Sequence, residues 1–164
     1  MSAARLTSSA PRPIRGEAVP SSFLSFGESD GTVQHRMVYQ GEYFLDHYGK
    51  QATELLPPVA RMLRMGVSVG GGTDGTRVAN YNPWVALYWL VADKTDGGTA
   101  LDPEANRLDR TEALRRYTLG SAWFSGEEDK KGSVEVGRLA DLAVPSADYF
   151  SIPEEKIKRI ESAL

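Results

Sequence analysis

A glycine-rich run with one aspartate is the stretch of this sequence that could most directly do chemistry. Residues 69–76 read VGGGTDGT, and Gly70, Gly72 and Gly75 match the spacing G-x-G-x-x-G. That spacing is typical of a turn that binds the pyrophosphate of a dinucleotide. The same run carries Asp74, a carboxylate that can ligate a cation or accept a proton. The run is therefore either a phosphate cradle or a loop that presents Asp74.

The residues after this run argue against phosphate binding. A dinucleotide turn needs a helix that starts inside the motif, so that its first amides face the pyrophosphate. The next helix start is Asn82 as N-cap followed by Pro83, seven residues beyond Gly75. No Lys-Ser or Lys-Thr pair directly follows, which excludes a Walker loop. We therefore interpret the run as a loop that presents Asp74 at the carboxyl end of a strand, where an α/β barrel carries its catalytic residues.

Two other polar residues, His35 and Arg77, are candidates for a site, and each has an ordinary structural alternative. His35, in a predicted strand, is a candidate substrate contact, and a histidine buried for packing is the more common case. Arg77, three residues after Asp74, is a candidate for an anionic or polar part of a substrate, or for a pair with a nearby carboxylate. His47 lies one helical turn from Tyr43 and is interpreted as a surface or packing residue. No cofactor-binding residues other than a metal ligand are predicted.

The elements before the loop follow the rhythm of a β/α unit. A strand is predicted over 33–38 in the run TVQHRMVY, and a helix follows in GEYFLDHYGKQA, with Gly49 as its C-terminal stop. A second helix is predicted in PPVARMLRMG, ending at Gly66. Residues 67–70, VSVG, predict a short buried strand that leads into the loop.

The elements after the loop mix one buried helix with more polar segments. Residues 83–91, PWVALYWLV, are apolar on every side and predict a buried helix, whose Trp84, Tyr88 and Trp89 face we expect to be exposed if its partners are missing. A solvated excursion is predicted over 93–108, and Asp109 is predicted to cap the next helix. Short strands are predicted in GSVEV and ADLAV, and an amphipathic helix in the tail SIPEEKIKRIESAL.

Composition excludes several function classes. The chain has 164 residues and a net charge of −3, which is no electrostatic footprint for nucleic acid. The absence of cysteine excludes disulfides, a thiolate nucleophile and a cysteine metal site. No apolar run reaches membrane-spanning length and no secretory signal is present, so we expect a cytoplasmic protein without a membrane partner. Residues 1–30, rich in Ser, Pro and Gly, predict a disordered or loosely attached segment.

Three runs together resemble the C-terminal end of a metal-dependent amidohydrolase, in the family-3 branch. They are MLRMGVSVGGGTDGTRVANYNPWVALYWLV, LDRTEALRRYTLGSAWF and KKGSVEVGRLADLAV. The third is the most specific, because the pattern Gly-Ser-x-x-x-Gly-Arg/Lys-x-Ala-Asp-Leu resembles the hallmark of the family's small β-sandwich subdomain. It is matched by Gly132, Ser133, Gly137, Arg138, Ala140, Asp141 and Leu142. The resemblance covers residues 32–164.

The resemblance implies an α/β fold, namely the C-terminal fragment of a TIM-barrel amidohydrolase with part of its small β-sandwich subdomain. Residues 31–128 would be the terminal β/α units of the barrel and residues 129–164 part of the subdomain with a C-terminal helix. Asp74 matches the aspartate that ends the last barrel strand of the family. By resemblance it binds or borders a divalent metal, with zinc expected, takes a proton from the attacking water and passes it to the leaving group.

The chain departs from the family in its metal ligands. A complete site needs a His-x-His pair, a bridging carboxylate or carboxylated lysine, and further histidines, whereas this sequence has only His35 and His47. Eight β/α units also need roughly 200 residues or more. We therefore expect this chain to be part of an enzyme, cut at both ends, with its C-terminus before the closing strand of the subdomain. We expect no tightly bound metal in this chain alone.

Two function classes remain open. In the first, the chain is part of a metal-dependent hydrolase that acts on C–N or related non-peptide bonds of a small-molecule substrate, and is inactive alone. In the second, it is a non-catalytic binding or assembly module derived from an amidohydrolase. Both predict self-association or a partner chain that carries the rest of the barrel, because cut strands and an uncovered apolar helix expose unpaired surface.

Overall fold

Short helices make up most of the regular structure in the computed structural model, which describes residues 32–33, 37–53, 58–73, 75, 79–101 and 107–163. A π-helical turn, Arg116–Gly120, connects the fifth helix directly to the sixth. The helices are α1 Met37–Tyr48, α2 Lys50–Thr53, α3 Val59–Arg64, α4 Pro83–Ala92, α5 Arg110–Arg115, α6 Ser121–Phe124 and α7 Glu154–Ile157. Within these ranges, none of the helices has the length and apolar character needed to cross a bilayer.

Two small sheets of two strands each accompany the helices. Strand β1, Thr32–Val33, pairs in parallel with β2, Gly70–Gly71. Strand β3, Val144–Pro145, pairs antiparallel with β4, Ser162–Ala163. The parallel pair brings the predicted first strand beside the start of the glycine loop, as a β/α unit requires.

Helix α4 forms the centre of the core. Its start was predicted correctly, because the Asn82 side chain accepts a hydrogen bond from the Trp84 amide at 3.0 Å and Pro83 occupies the first position. Every residue from Trp84 to Ala92 is buried. The expectation that Trp84, Tyr88 and Trp89 would be exposed is therefore wrong. Ile157 and Ile160, both buried, belong to the same apolar cluster and help to cover the helix.

Polar contacts also tie the C-terminal segment to the helical core. The Arg110 guanidinium on α5 donates to the carbonyls of Tyr149 and of Ile152, the latter at 2.6 Å. The Tyr149 hydroxyl donates in return to the Arg110 carbonyl at 3.1 Å, and the Trp84 indole donates to the Ser162 hydroxyl at 2.8 Å. Described residues on both sides of position 128 thus share one core, and the predicted domain boundary there stays a prediction.

The predicted strand over 33–38 holds at Val33 and is wrong at residues 37–38; residues 34–36 lie outside the described part of the chain. Helix α1 already begins at Met37, and Val38 is its most buried side chain. Gly41 lies against Leu101, since a Cβ at this glycine would come within 2.2 Å of the Leu101 side chain. Burying Val38 and Gly41, three residues apart, requires helical periodicity, and this packing overrides the strand propensity of the local residues. The helix ends where predicted, with Gly49 at a φ of 77°.

The predicted solvated excursion over 93–108 holds only in part among its described residues, of which 96–98 and Ala100 are exposed. Asp93, Thr95, Leu101 and Leu108 are buried. The hydroxyls of Thr95 and Thr99 both donate to Glu42 Oε1, at 2.8 and 2.9 Å. These hydrogen bonds join Thr95 and Thr99 to α1, which allows this part of the segment to pack inward.

The C-terminal elements are shorter than predicted. In the predicted strands GSVEV and ADLAV only Val144 lies in a strand, and Val134 and Val136 are exposed. The strand predicted over 67–70 is likewise reduced to Gly70–Gly71. The predicted tail helix is one turn, Glu154–Ile157, after which β4 begins at Ser162. Each strand is short because a strand extends only where a neighbouring strand accepts its hydrogen bonds. In the tail, the chain leaves the helix and pairs as β4 with β3.

Candidate functional site

The candidate site lies at the carboxyl end of β2. Strand β1 ends at Val33, two residues before His35, and β2 ends at Gly71, three residues before Asp74. Parallel strands present their carboxyl ends at one edge, so both chain segments leave the sheet on the same side. The candidate residues His35, Asp74 and Arg77 themselves lie outside the described residues, and their proposed roles stay predictions. His47 is exposed on α1, as expected, and stacks on Tyr43 with ring centroids 3.8 Å apart.

The glycines of the loop are required by close packing of a helical segment onto the strand. A Cβ at Gly71 would lie 2.4 Å from the Tyr117 ring, and one at Gly70 would lie 2.8 Å from the Phe124 ring. On the other side of the contact, a Cβ at Gly120 would lie 2.6 Å from the Val69 carbonyl oxygen. The glycine run thus serves backbone-to-helix contact, which agrees with the rejection of a phosphate cradle.

Two hydroxyl groups from the helical segment hold the loop backbone. The Tyr117 hydroxyl donates to the Gly72 carbonyl at 2.9 Å. The Ser121 hydroxyl lies 2.8 Å from the Gly71 carbonyl oxygen and 3.0 Å from that of Arg116, so its single proton is shared between these two acceptors. Consecutive carbonyls at the end of β2 are therefore satisfied by side chains rather than by a third strand.

Sequence reasoning did not assign these two residues to the site. The signal was present in the run RRYTLGSAWF, where a tyrosine and a serine four residues apart flank a glycine on one helical face. The sequence pattern did not identify the acceptors of these hydroxyls, because Gly71 and Gly72 are 45 or more residues away in sequence.

Comparison with known protein families identifies the family of this chain. A model of the amidohydrolase family matches residues 29–164, which is most of the chain. The chain belongs to the amidohydrolase family. The family predicted from the sequence runs is thereby confirmed.

Relatives in this family are much longer than the chain. An N-substituted formamide deformylase from Arthrobacter pascens is 36% identical over 122 residues, which are 74% of this chain and 22% of that protein. A 5-methylthioadenosine/S-adenosylhomocysteine deaminase from Thermodesulfovibrio yellowstonii is 35% identical over 89 residues, which are 54% of this chain and 20% of that protein. The chain thus spans about a fifth of the length of these relatives.

Solved structures confirm the predicted fold class. A metal-dependent hydrolase from Pyrococcus horikoshii superposes with a TM-score of 0.62 at 22% identity, covering 75% of this chain and 25% of its own. Another from Pyrococcus furiosus gives a TM-score of 0.57 at 24% identity, covering 73% and 24%. The fold is that of a fragment of a TIM-barrel amidohydrolase.

The described side chains do not fit a metal site of the kind that such hydrolases need. Among residues 37–53, 58–73, 79–101 and 107–163, no three His, Cys, Asp or Glu side chains lie close enough to hold an ion. The whole sequence has two histidines and no cysteine. A catalytic zinc site takes three protein ligands, mostly histidines. In the described ranges the chain therefore supplies no such centre by itself.

The environment of Tyr117 and Arg116, next to the loop, changes the pKa values of both side chains. Burial raises the pKa of the Tyr117 phenol above its ordinary value, so the hydroxyl stays a donor. Burial lowers the pKa of Arg116, and the nearby Glu112 carboxylate, 3.1 Å from its guanidinium, acts in the opposite direction. Glu112 also pairs with Arg115 at 3.2 Å, while its backbone amide donates to the Asp109 cap at 2.8 Å. The predicted cap at Asp109 is confirmed.

Proposed function

We propose that this chain supplies the last-strand loop of a metal-dependent hydrolase, with Asp74 as its acid–base residue. The observation that supports this most directly is the glycine loop at the carboxyl end of β2, whose backbone carbonyls accept hydrogen bonds from Tyr117 and Ser121, in a chain of the amidohydrolase family. Asp74 accepts a proton from the attacking water and returns it to the leaving group. A carboxylate suits this task because it can gain and lose a proton within one catalytic cycle.

The substrate class we propose is a small molecule with a non-peptide C–N bond. Both relatives described above are named for reactions at such a bond, one a deformylase of N-substituted formamides and the other a deaminase. The leaving group in either case is a nitrogen that must be protonated, which is the role assigned here to Asp74. Within this scheme His35 and Arg77 are proposed substrate contacts, and zinc is the proposed metal.

We further propose that this chain alone is inactive. Its sequence holds two histidines, fewer than the metal centre requires. Completion by residues from the rest of a barrel would supply the missing ligands. Purified alone, the chain is expected to hold zinc at well below one ion per molecule, as measured by elemental analysis.

The decisive experiment compares two aspartate variants in the assembled enzyme. This chain is combined with the remaining barrel segment, and an N-substituted formamide and 5-methylthioadenosine serve as substrate probes. Asp74→Asn is expected to lower kcat about a hundredfold or more, since the amide cannot accept the proton. The matched control Asp129→Asn changes an exposed aspartate and should leave kcat unchanged. Retention of full activity by Asp74→Asn would overturn the assignment.

A second candidate function is an assembly module that completes a partner chain without catalysis. The observation that favours it is an exposed apolar segment, which we call the apolar C-terminal segment. It comprises the exposed side chains Val134, Val136, Leu139, Leu142 and Val144. Isolated soluble domains rarely expose so many neighbouring apolar side chains without a partner. Burial of this surface is worth about 25 cal/mol per Å².

Association at micromolar concentration is therefore expected, and light scattering measures it. The double variant Val134→Ser, Val136→Ser should shift the chain toward the monomer, because it removes the two most exposed apolar side chains of the segment. Tyr48→Ser, which removes an exposed apolar ring on α1, serves as the control and should not shift it. A monodisperse 17.9 kDa monomer of the unaltered chain would contradict the association.

A further inference from the structure

We propose that Tyr117 and Ser121 are positioning residues for Asp74, an inference that rests on the function proposed above. Their hydroxyls donate hydrogen bonds to carbonyl oxygens of the loop backbone and so constrain the backbone that leads to Asp74. No family resemblance assigns either residue this role; the geometry alone points to it.

The first step concerns where the hydroxyls bind. Tyr117 donates to the carbonyl of Gly72 at 2.9 Å, and Gly72 is two residues before Asp74. That carbonyl belongs to the peptide unit that continues into Thr73, the residue directly before the aspartate. Fixing its direction fixes the orientation of a planar unit at the base of the loop. Ser121 does the same one residue earlier, at the Gly71 carbonyl.

The second step concerns why the loop needs such support. Its residues include glycines at 70, 71, 72 and 75, which restrict the backbone least of all residue types. Strand β2 has two residues and, in the part of the chain that the structure describes, one partner strand, so the described sheet supplies little constraint. A catalytic side chain must be held to within a fraction of an ångström to keep its rate. The two hydroxyls provide the constraint that the glycines and the short strand lack.

The third step concerns the π-helical turn Arg116–Gly120 from which the donors come. Wide turns of this type occur frequently at functional sites. Ser121 Oγ also reaches the Arg116 carbonyl at 3.0 Å, five residues back, and so satisfies a group within the widened turn. Gly120 lets the turn approach the strand at the Val69 carbonyl. The burial of Tyr117 among these atoms keeps its phenol protonated and able to donate.

The test removes one hydroxyl at a time and compares it with a matched tyrosine. Tyr117→Phe keeps the ring and loses the donor to Gly72. Tyr149→Phe loses an equivalent donor, from a buried phenol to the Arg110 carbonyl at 3.1 Å, on α5 rather than on the loop. Two measurements follow: amide hydrogen exchange of residues 72–76 in this chain, and kcat and KM of the assembled enzyme with the two substrate probes.

We expect Tyr117→Phe to speed exchange in residues 72–76 and to lower kcat about ten- to a hundredfold, with KM changed by less than about twofold. Tyr149→Phe should leave both loop exchange and kcat unchanged. A purely structural role would not separate these two variants. If Tyr117→Phe loosens the whole chain, Ser121→Ala provides the second variant, and Ser121→Thr, which keeps the hydroxyl, should restore the parent values.

Unchanged loop exchange in both Tyr117→Phe and Ser121→Ala would overturn the proposal. So would an unchanged kcat in these variants when Asp74→Asn abolishes activity. If exchange speeds up as expected but Asp74→Asn leaves activity intact, the two hydroxyls still hold the loop and the role of Asp74 is what fails.

Discussion

We expect the free energy of unfolding of this chain to fall steeply as the pH rises above about 10, the ordinary pKa of tyrosine. Burial raises the pKa of three phenols in the folded chain, those of Tyr88, Tyr117 and Tyr149. For Tyr88, its hydrogen bond to the Glu155 carboxylate at 2.9 Å raises the pKa further. For Tyr149, the nearby Arg110 acts in the opposite direction without cancelling the effect.

The sign of this dependence follows from the two states. Below pH 10 both the folded and the unfolded chain keep these phenol protons, so the stability is fully present. Above it the unfolded chain releases protons that the folded chain still holds, which favours unfolding. Each tyrosine then removes up to about 1.4 kcal/mol per pH unit, and three remove about 4 kcal/mol. Against a typical total of about 5–15 kcal/mol, this loss unfolds the chain within about one to four pH units.

Urea denaturation at a series of pH values from 8 to 12 measures the effect, and tyrosinate absorbance shows whether ionisation accompanies unfolding. Replacing Tyr88, Tyr117 or Tyr149 singly by Phe should reduce the slope by about a third in each case. A stability that stays level from pH 9 to pH 12 would show that the three phenols ionise as easily in the folded chain as in the unfolded one.

The second large effect is expected for Ile157→Ala, which should lower the free energy of unfolding by about 2–5 kcal/mol. Ile157 is 0% exposed and lies in the same apolar cluster as helix α4. Truncation to alanine loses apolar burial and leaves a cavity against that helix. The side chain lies in a one-turn helix at the far end of the chain, so the measurement tests whether the tail is part of the core.

Met65→Ala is the control, since it truncates an exposed apolar side chain that lies outside the apolar C-terminal segment. It should change stability by no more than about 0.5 kcal/mol. Urea unfolding is followed by tryptophan fluorescence, to which Trp84 and Trp89 of α4 contribute together with Trp123. A loss below about 1 kcal/mol for Ile157→Ala would mean that the tail contributes little to the core that covers this helix.

The sequence by itself determined the family and the features whose causes are local. The caps at Asn82 and Asp109 and the helix stops at Gly49 and Gly66 were predicted, and the structure has them. Each depends on residues within four positions of one another: a side chain that reaches a nearby amide, or a positive φ that glycine tolerates. The burial of α4 also followed from composition, because a helix that is apolar on every side has no face for water.

Tertiary structure decided what depends on distant partners. Strand β2 has two residues because a strand extends only as far as its neighbour, and Gly41 of α1 packs against Leu101, 60 residues later in the chain. The neighbouring residues in the sequence likewise did not show which groups the glycine run contacts. Its spacing suggested a phosphate, whereas its contacts are the ring of Tyr117 and the hydroxyls of Tyr117 and Ser121, about 45–50 residues later in the chain. Glycine spacing records only that something approaches the backbone closely, and the tertiary structure decides what approaches.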